Sequence, residues 1–248
     1  RIAQGIEGIK RTTGMHPGGV IVVPKGREIY DFTPVQHPAN DPNSNVLTTH
    51  FDYHAIKGNL LKLDILGHDT PTILHRLQEI TGINPTTIDL DDNETMNMIC
   101  SADTLGIPEV GTKFVRNIIL ETKPTTFDEL IKISGLSHGT DVWWNNAQDL
   151  INSGTATLKE IIACRDDIMN YLIEMRIEPK IAFEIMETVR KGRVRNNRET
   201  HWEAYKRVMT EHNVPKWYIE SCEKIAYMFP KAHAVAYIMN SFRIAWYK

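Results

Sequence analysis

The feature that most constrains this chain is a change of hydrophobic period near Gly67. From Gly14 to about Gly67 the apolar residues come in short runs. "GGVIVVP" follows paired glycines, and "NVLTTHFDYH" and "NLLKLDILG" flank the connection "AIKG", a spacing that suits a hairpin. Beyond it, Ile73, Leu74, Leu77 and Ile80 recur at helical spacing between about Thr70 and Thr81. After "TGINPTTIDLDD" the pattern is mainly helical, broken at Pro108, Pro124, Gly135, Pro179, Gly192, Pro215 and Pro230. A mixed part of about 90 residues followed by an all-helical part is the simplest division, giving an α+β chain.

With 248 residues, 42% of them hydrophobic, such a chain can bury a substantial core. It has no run of 18 apolar residues, which excludes a spanning helix. A net charge of −3 gives no global sign of nucleic acid, so any such binding has to come from local patches. Cys100, Cys164 and Cys222 are odd in number and form no C-x-x-C pair, which argues for a reducing compartment and against a disulfide framework or a structural zinc site. The chain starts at Arg1 rather than Met and stops at Lys248 inside a helical pattern, so it is expected to be a piece of something longer.

Within "NLLKLDILG" the residues from Leu60 to Leu66 are apolar except Lys62 and Asp64. Strand side chains alternate, so Leu61, Leu63 and Ile65 are expected to face a core while Lys62 and Asp64 share the other face, about 6 to 7 Å apart along the strand. A carboxylate there suits a hard divalent cation, and the lysine suits a phosphate oxygen; a solvent-facing ion pair is the plainer alternative.

Four other stretches carry candidate chemistry. "RTTGMHPGG" sets Arg11, His16, Gly18 and Gly19 before a strand, where glycine allows close approach of a ligand and arginine pairs with phosphate. In "TLKEIIACRDDIMNYLIEM", Thr157 and Glu160 have capping-box spacing, and Arg165 falls on the stripe of Ile161, Ile162, Ile168 and Met169, so it is expected to be paired or to open onto a cleft. "VRKGRVRNNR" gathers Arg190, Lys191, Arg193, Arg195 and Arg198, the usual footprint for a phosphate backbone. "FPKAHAVAY" places Lys231 and His233 at a helix start, where free N–H groups favour an anion. The D-x-D pair Asp89 and Asp91 reads as helix capping, Asp91 with Glu94, rather than as a metal site.

Taken in order, "TTGMHPGGVIVVP", "THFDYHAIKGNLLKLDILGHD", "LGIPEVGTKFVRNII", "SGLSHGTDVWWNNAQ", "CRDDIMNYLI", "VRKG" and "YMFPKAHAVAYIMNSFRIAWYK" resemble the PolC-type α subunits of the bacterial C-family of replicative DNA polymerases. The resemblance runs over nearly the whole chain. It implies that residues 1–92 are the latter part of a palm with the polymerase β-like nucleotidyltransferase fold and that residues 93–248 are most of a helical fingers domain.

It further implies template-directed dNTP addition to a primer 3′-end by a two-metal Mg2+ mechanism. Asp64 would be the third metal-binding carboxylate, with Lys62 beside it and the other two carboxylates upstream, so that this piece alone is inactive. Arg165, Lys231 and His233, with His16, Gly18 and Gly19, would face the nucleotide, and Arg190, Lys191 and Arg193 the nucleic-acid backbone. Implied partners are primer–template DNA, dNTP and, through regions outside this piece, the sliding clamp and other replisome proteins, in the bacterial cytoplasm. A non-catalytic nucleic-acid-binding relative is the rival reading. One departure is plain: family members carry a longer segment before "TLGIPE", whereas "CSADTLGIPE" joins the two parts almost directly.

Overall fold

The computed structural model describes residues 5–6, 9, 13–65 and 67–248. The chain divides into two compact units, the boundary falling between His68 and Asp69. Arg11 and Leu66 lie outside the described residues.

In the first unit, strand β1 (Gly19–Val22) pairs antiparallel with β4 (Leu61–Asp64), Gly19 opposite Asp64 and Ile21 opposite Lys62. A second ribbon pairs β2 (Val35–Gln36) with β3 (Thr48–Thr49). The expected hairpin across "AIKG" does not form. Asp52 caps a helical turn, α1 (Tyr53–Ile56), by accepting a hydrogen bond from the His54 N–H at 2.8 Å, and this turn sends β4 to a different partner from β3.

The alternation of β4 is as anticipated, but its apolar face is not in a core. Leu61, Leu63 and Ile65 are 58%, 43% and 65% exposed, with Val20 and Val22 exposed opposite them. The ribbon has only two strands among the described residues, so it has one layer and nothing in this unit lies over that face.

The second unit is helical: α2 (Asp69–Thr81), α3 (Asn93–Cys100), α4 (Lys113–Thr122), α5 (Phe127–His138), α6 (Gln148–Asn152), α7 (Arg165–Glu174), α8 (Pro179–Arg190), α9 (Trp202–Glu211), α10 (Lys216–Lys224) and α11 (Lys231–Trp246). Helix α11 packs on α2, α3, α5 and α7, and α7 on α8. Ile118, Ile133, Leu136, Ile161, Ile168, Leu172, Ile185 and Phe242 form its fully buried centre. Because α2 and α3 both lie against α11, they belong to the second compact unit, which begins at residue 69.

Helix boundaries follow local chemistry. Thr112 and Thr126 cap α4 and α5, and Glu129 reaches back to the Thr126 N–H. The cap of α3 is Asp92, not Asp91: its carboxylate accepts from the Thr95 N–H at 2.8 Å and from the Thr95 hydroxyl at 2.6 Å, while Asp89 accepts from the Asp91 N–H in a turn of its own. Five helices end in the same Schellman pattern of two reversed hydrogen bonds, with Ala102, Gly154, Arg176, Gly192 and Asn213 at positive φ. In the junction after α3, the Ala102 N–H donates to Ile99 at 2.8 Å and Asp103 to Met98 at 3.2 Å, so "CSADT" is a closed helix end.

One helix starts later than its sequence suggests. Thr157 and Glu160 do bond each other, at 2.8 Å from backbone and 2.7 Å from hydroxyl, but they close an isolated turn. Helix α7 begins at Arg165, because the Asp167 carboxylate accepts from the Ala163 and Cys164 N–H groups at 2.9 and 2.8 Å.

Candidate active site

In the first unit, β1 and β4 bring five of the anticipated residues together. Lys62 Nζ lies 3.0 Å from Asp64 Oδ1, and His16 Nε2 lies 3.7 Å from the same oxygen. The Gly18 N–H donates to His16 Nδ1 at 3.1 Å, which turns the ring back over the strand. Gly19 sits beneath, with His16 and the Lys62 stem filling the space a side chain would need. Lys62 also lies 5.5 Å from the centre of the Tyr53 ring, so its stem is packed and its ammonium is fixed beside the carboxylate. Asp64 remains half exposed, with an oxygen accessible to a ligand.

In the second unit, the starts of α7 and α11 interlock. Asp166 Oδ2 accepts from the Lys231 N–H at 2.6 Å and lies 3.9 Å from Arg165 Nε, while the Arg165 N–H donates to Phe229 O at 3.1 Å. Arg165 is therefore a first-turn residue, its side chain 34% exposed, and not part of a buried stripe. Lys231 Nζ contacts Asp128 at 3.3 Å. Beneath this edge Lys132 is buried, 3.1 Å from Asp167 and bonded to Ile161 O at 2.9 Å. His233 lies against Tyr237 at 4.3 Å between ring centres, the rings tilted by 36°, and meets Phe229 at 5.0 Å.

Both segments match known families. Residues 70–213 match the bacterial DNA polymerase III alpha subunit finger domain, and residues 1–67 match the bacterial DNA polymerase III alpha NTPase domain. The chain belongs to the bacterial DNA polymerase III alpha subunit finger domain family. It is 56% identical to the DNA polymerase III PolC-type of Caldanaerobacter subterraneus subsp. tengcongensis, 55% to that of Bacillus subtilis and 54% to that of Streptococcus mutans, each across 100% of this chain and 18% of the relative. The chain thus spans less than a fifth of the length of these PolC-type relatives. Those alignments run over 262 residues against a chain of 248, as expected if the relatives carry insertions.

Seen as a finger-domain family member, the chain distributes its anticipated residues over three places. His16, Gly18, Gly19, Lys62 and Asp64 cluster on the ribbon, and Arg165, Lys231 and His233 gather where α7 and α11 start. The basic run after α8 is the third. There Arg190 holds Glu187 with two nitrogens and Lys191 contacts it at 2.7 Å, Arg195 pairs with Asp141, and Arg193 and Arg198 are exposed with no ion pair among the described residues. The Arg190 hydrogen bond, helped by Lys191 and opposed by burial, holds the Glu187 carboxyl down at about 2.

Sequence reasoning missed the acidic framework of the α7–α11 edge. Two acids directly after Arg165, in "CRDD", mark a helix start there, and that signal was available. It also missed His138, at the end of α5, whose partner Glu109 lies too far away in the chain for any spacing rule to join them. No helix among the described residues is long and apolar enough to cross a membrane.

Proposed function

We propose that this chain is a segment of a replicative DNA-directed DNA polymerase that adds dNTPs to a primer 3′-end. The observation that carries this reading is identity above half to PolC-type polymerases across the whole chain, with the NTPase and finger matches in sequence order. In this reading the first unit is the latter part of a nucleotidyltransferase palm and the second is most of the fingers. Primer–template DNA and dNTP are its substrates, and the sliding clamp and other replisome proteins engage other parts of the polypeptide, in the bacterial cytoplasm.

The donor set on the ribbon fits a shared Mg2+ site. Asp64 offers the carboxylate oxygen a hard cation prefers, but no group of three His, Cys, Asp or Glu able to hold a metal occurs among the described residues. Asp64 would therefore be one ligand of a site completed by carboxylates from upstream in a longer polypeptide. When bound, divalent cations supply charge neutralisation at the triphosphate and acidify the primer hydroxyl. Lys62 orients Asp64 through the 3.0 Å contact and adds positive charge on that face. Gly19 leaves room for His16 and the Lys62 stem.

On the second unit, Arg165 and Lys231 supply cations for the triphosphate, and His233 with Tyr237 supplies a flat ring surface for the base. Arg190, Lys191 and Arg193 face the nucleic-acid backbone. With one of the three carboxylates, the 248-residue chain alone is inactive in primer extension.

A titration of this chain with dATP and Mg2+, followed by NMR, tests the nucleotide site. Resonances of Arg165, Lys231, His233 and Tyr237 should shift together and saturate. Shifts confined to other helices, or none, would contradict the assignment.

A further inference from the structure

His138 Nδ1 lies 2.7 Å from Ser134 O, and His138 Nε2 lies 3.0 Å from Glu109 Oε2. A carbonyl and a carboxylate both accept and neither donates, and the Ser134 and Ser137 hydroxyls are farther from Nδ1, at 3.4 and 3.3 Å, so the imidazolium, with a proton on each nitrogen, best satisfies the two short contacts. The same ring meets His233 at 5.2 Å and 80°, Phe229 at 5.7 Å and 69°, and Tyr237 at 6.2 Å. His138 thus stands edge-on against the rings that begin α11. Its own nitrogens are spent on Ser134 and Glu109, so it has none left for a ligand.

Glu109 is held in place for this contact. It sits at φ 65, a left-handed conformation that glutamate rarely adopts. The loop around it is closed by the Thr104 hydroxyl donating to Val110 O at 2.6 Å and by the Gly111 N–H donating to Ile107 O at 2.9 Å. A side chain at Gly111 would strike Ile107 O at 2.5 Å and Thr104 O at 2.7 Å, so this close turn requires glycine. A non-glycine residue kept in that region, with its carboxylate on a histidine of another helix, is the kind of local strain that surrounding structure has to maintain.

We infer that Glu109 and His138 are a positioning pair for the nucleotide-facing start of α11: Glu109 locks His138 as a doubly donating imidazolium, whose edge fixes His233 against Tyr237 and keeps a second charge off it. This rests on the nucleotide-site reading above. The titratable groups facing His138 are Glu109 from the loop and His233 and Tyr237 from α11. The directions of ionisation agree. His138 is raised above the ordinary histidine value, first by its hydrogen bond to Glu109 and against desolvation; His233 is lowered, first by burial and then by the charge on His138. The pair therefore yields one fixed cation and one neutral ring, the form of histidine that stacks on a base without the cost of desolvating a charge.

The test is E109Q in this chain, read by the pH dependence of the histidine ring protons and of dATP affinity in the presence of Mg2+. In the parent chain, affinity should fall as pH rises through the His138 midpoint. In E109Q the His138 midpoint should move to lower pH, the His233 midpoint upward, and the loss of affinity should follow His138, leaving binding about tenfold weaker near neutral pH. Should E109Q fail to fold, H138Q serves instead and should bind dATP weakly with no pH dependence in that range. Unchanged midpoints in E109Q, or an affinity profile that ignores them, would overturn the pair. A parent chain in which dATP moves neither His233 nor Tyr237 would instead overturn the nucleotide site, and the pair's role with it.

Discussion

Gly19 lies directly beneath Lys62: a methyl group built on its α-carbon would come 2.9 Å from Lys62 Cε and 2.8 Å from His16 Nδ1. Both obstructing groups are side-chain atoms rather than backbone, so the fold can absorb the methyl but only by pushing His16 and Lys62 from their places beside Asp64. Gly19→Ala in a full-length PolC-type polymerase carrying this segment should stay within about 1 kcal/mol of the parent in stability. It should lose about 100-fold in turnover, the scale of a misplaced catalytic group. Thermal unfolding and primer extension on the same variant check this; normal turnover would mean that His16 and Lys62 have no required placement.

Arg165 is a partly exposed first-turn residue whose nearest carboxylate is 3.9 Å away, so its removal strands no buried charge. Arg165→Ala should leave stability within about 1 kcal/mol and raise the apparent KM for dNTP, with Lys an incomplete substitute because it lacks the planar two-pronged donor. Steady-state kinetics beside a melting curve separates the outcomes. Marked destabilisation with an unaltered dNTP dependence would make Arg165 structural.

How far the sequence reached depends on the range of the interaction concerned. Local signals were legible: the helix Asp69–Thr81 from its apolar spacing, and the shared face of Lys62 and Asp64 from strand alternation. Strand pairing was not, since a four-residue helical turn capped by Asp52 separates β3 from β4 and nothing local says that β4 pairs with β1. Only half of the Thr157–Glu160 box forms, the Glu160 carboxylate accepting from the Thr157 N–H and hydroxyl while the Glu160 N–H bonds the Thr157 carbonyl, and the helix is started instead by Asp167, seven residues further on than Glu160. Burial of Leu61 and Leu63 was inferred from their composition, yet an apolar strand face is buried only where a second layer covers it.

The pH dependence of stability should carry the mark of Glu187. Its folded ionisation is held at about 2, below the ordinary 4.5, by Arg190 first and Lys191 after. A depressed carboxyl stabilises the fold above its unfolded value, and that contribution disappears as pH falls from 4.5 toward 2. Glu187→Gln should therefore lower stability near neutral pH and flatten the acid limb of a stability-against-pH curve. An acid limb identical to the parent's would show that the ion pairs at the end of α8 do not contribute in solution.

The proposed role of Asp64 as a ligand of catalytic metal is tested by the turnover number of Asp64→Asn in a full-length PolC-type polymerase carrying this segment. The amide keeps the shape of the side chain and its place 3.0 Å from Lys62 while removing the charge that binds a cation. The melting temperature should be unchanged and turnover reduced about 100-fold or more, the scale of losing one positioned electrostatic group. Turnover close to that of the parent would reduce Lys62 and Asp64 to an ion pair on the surface of the ribbon.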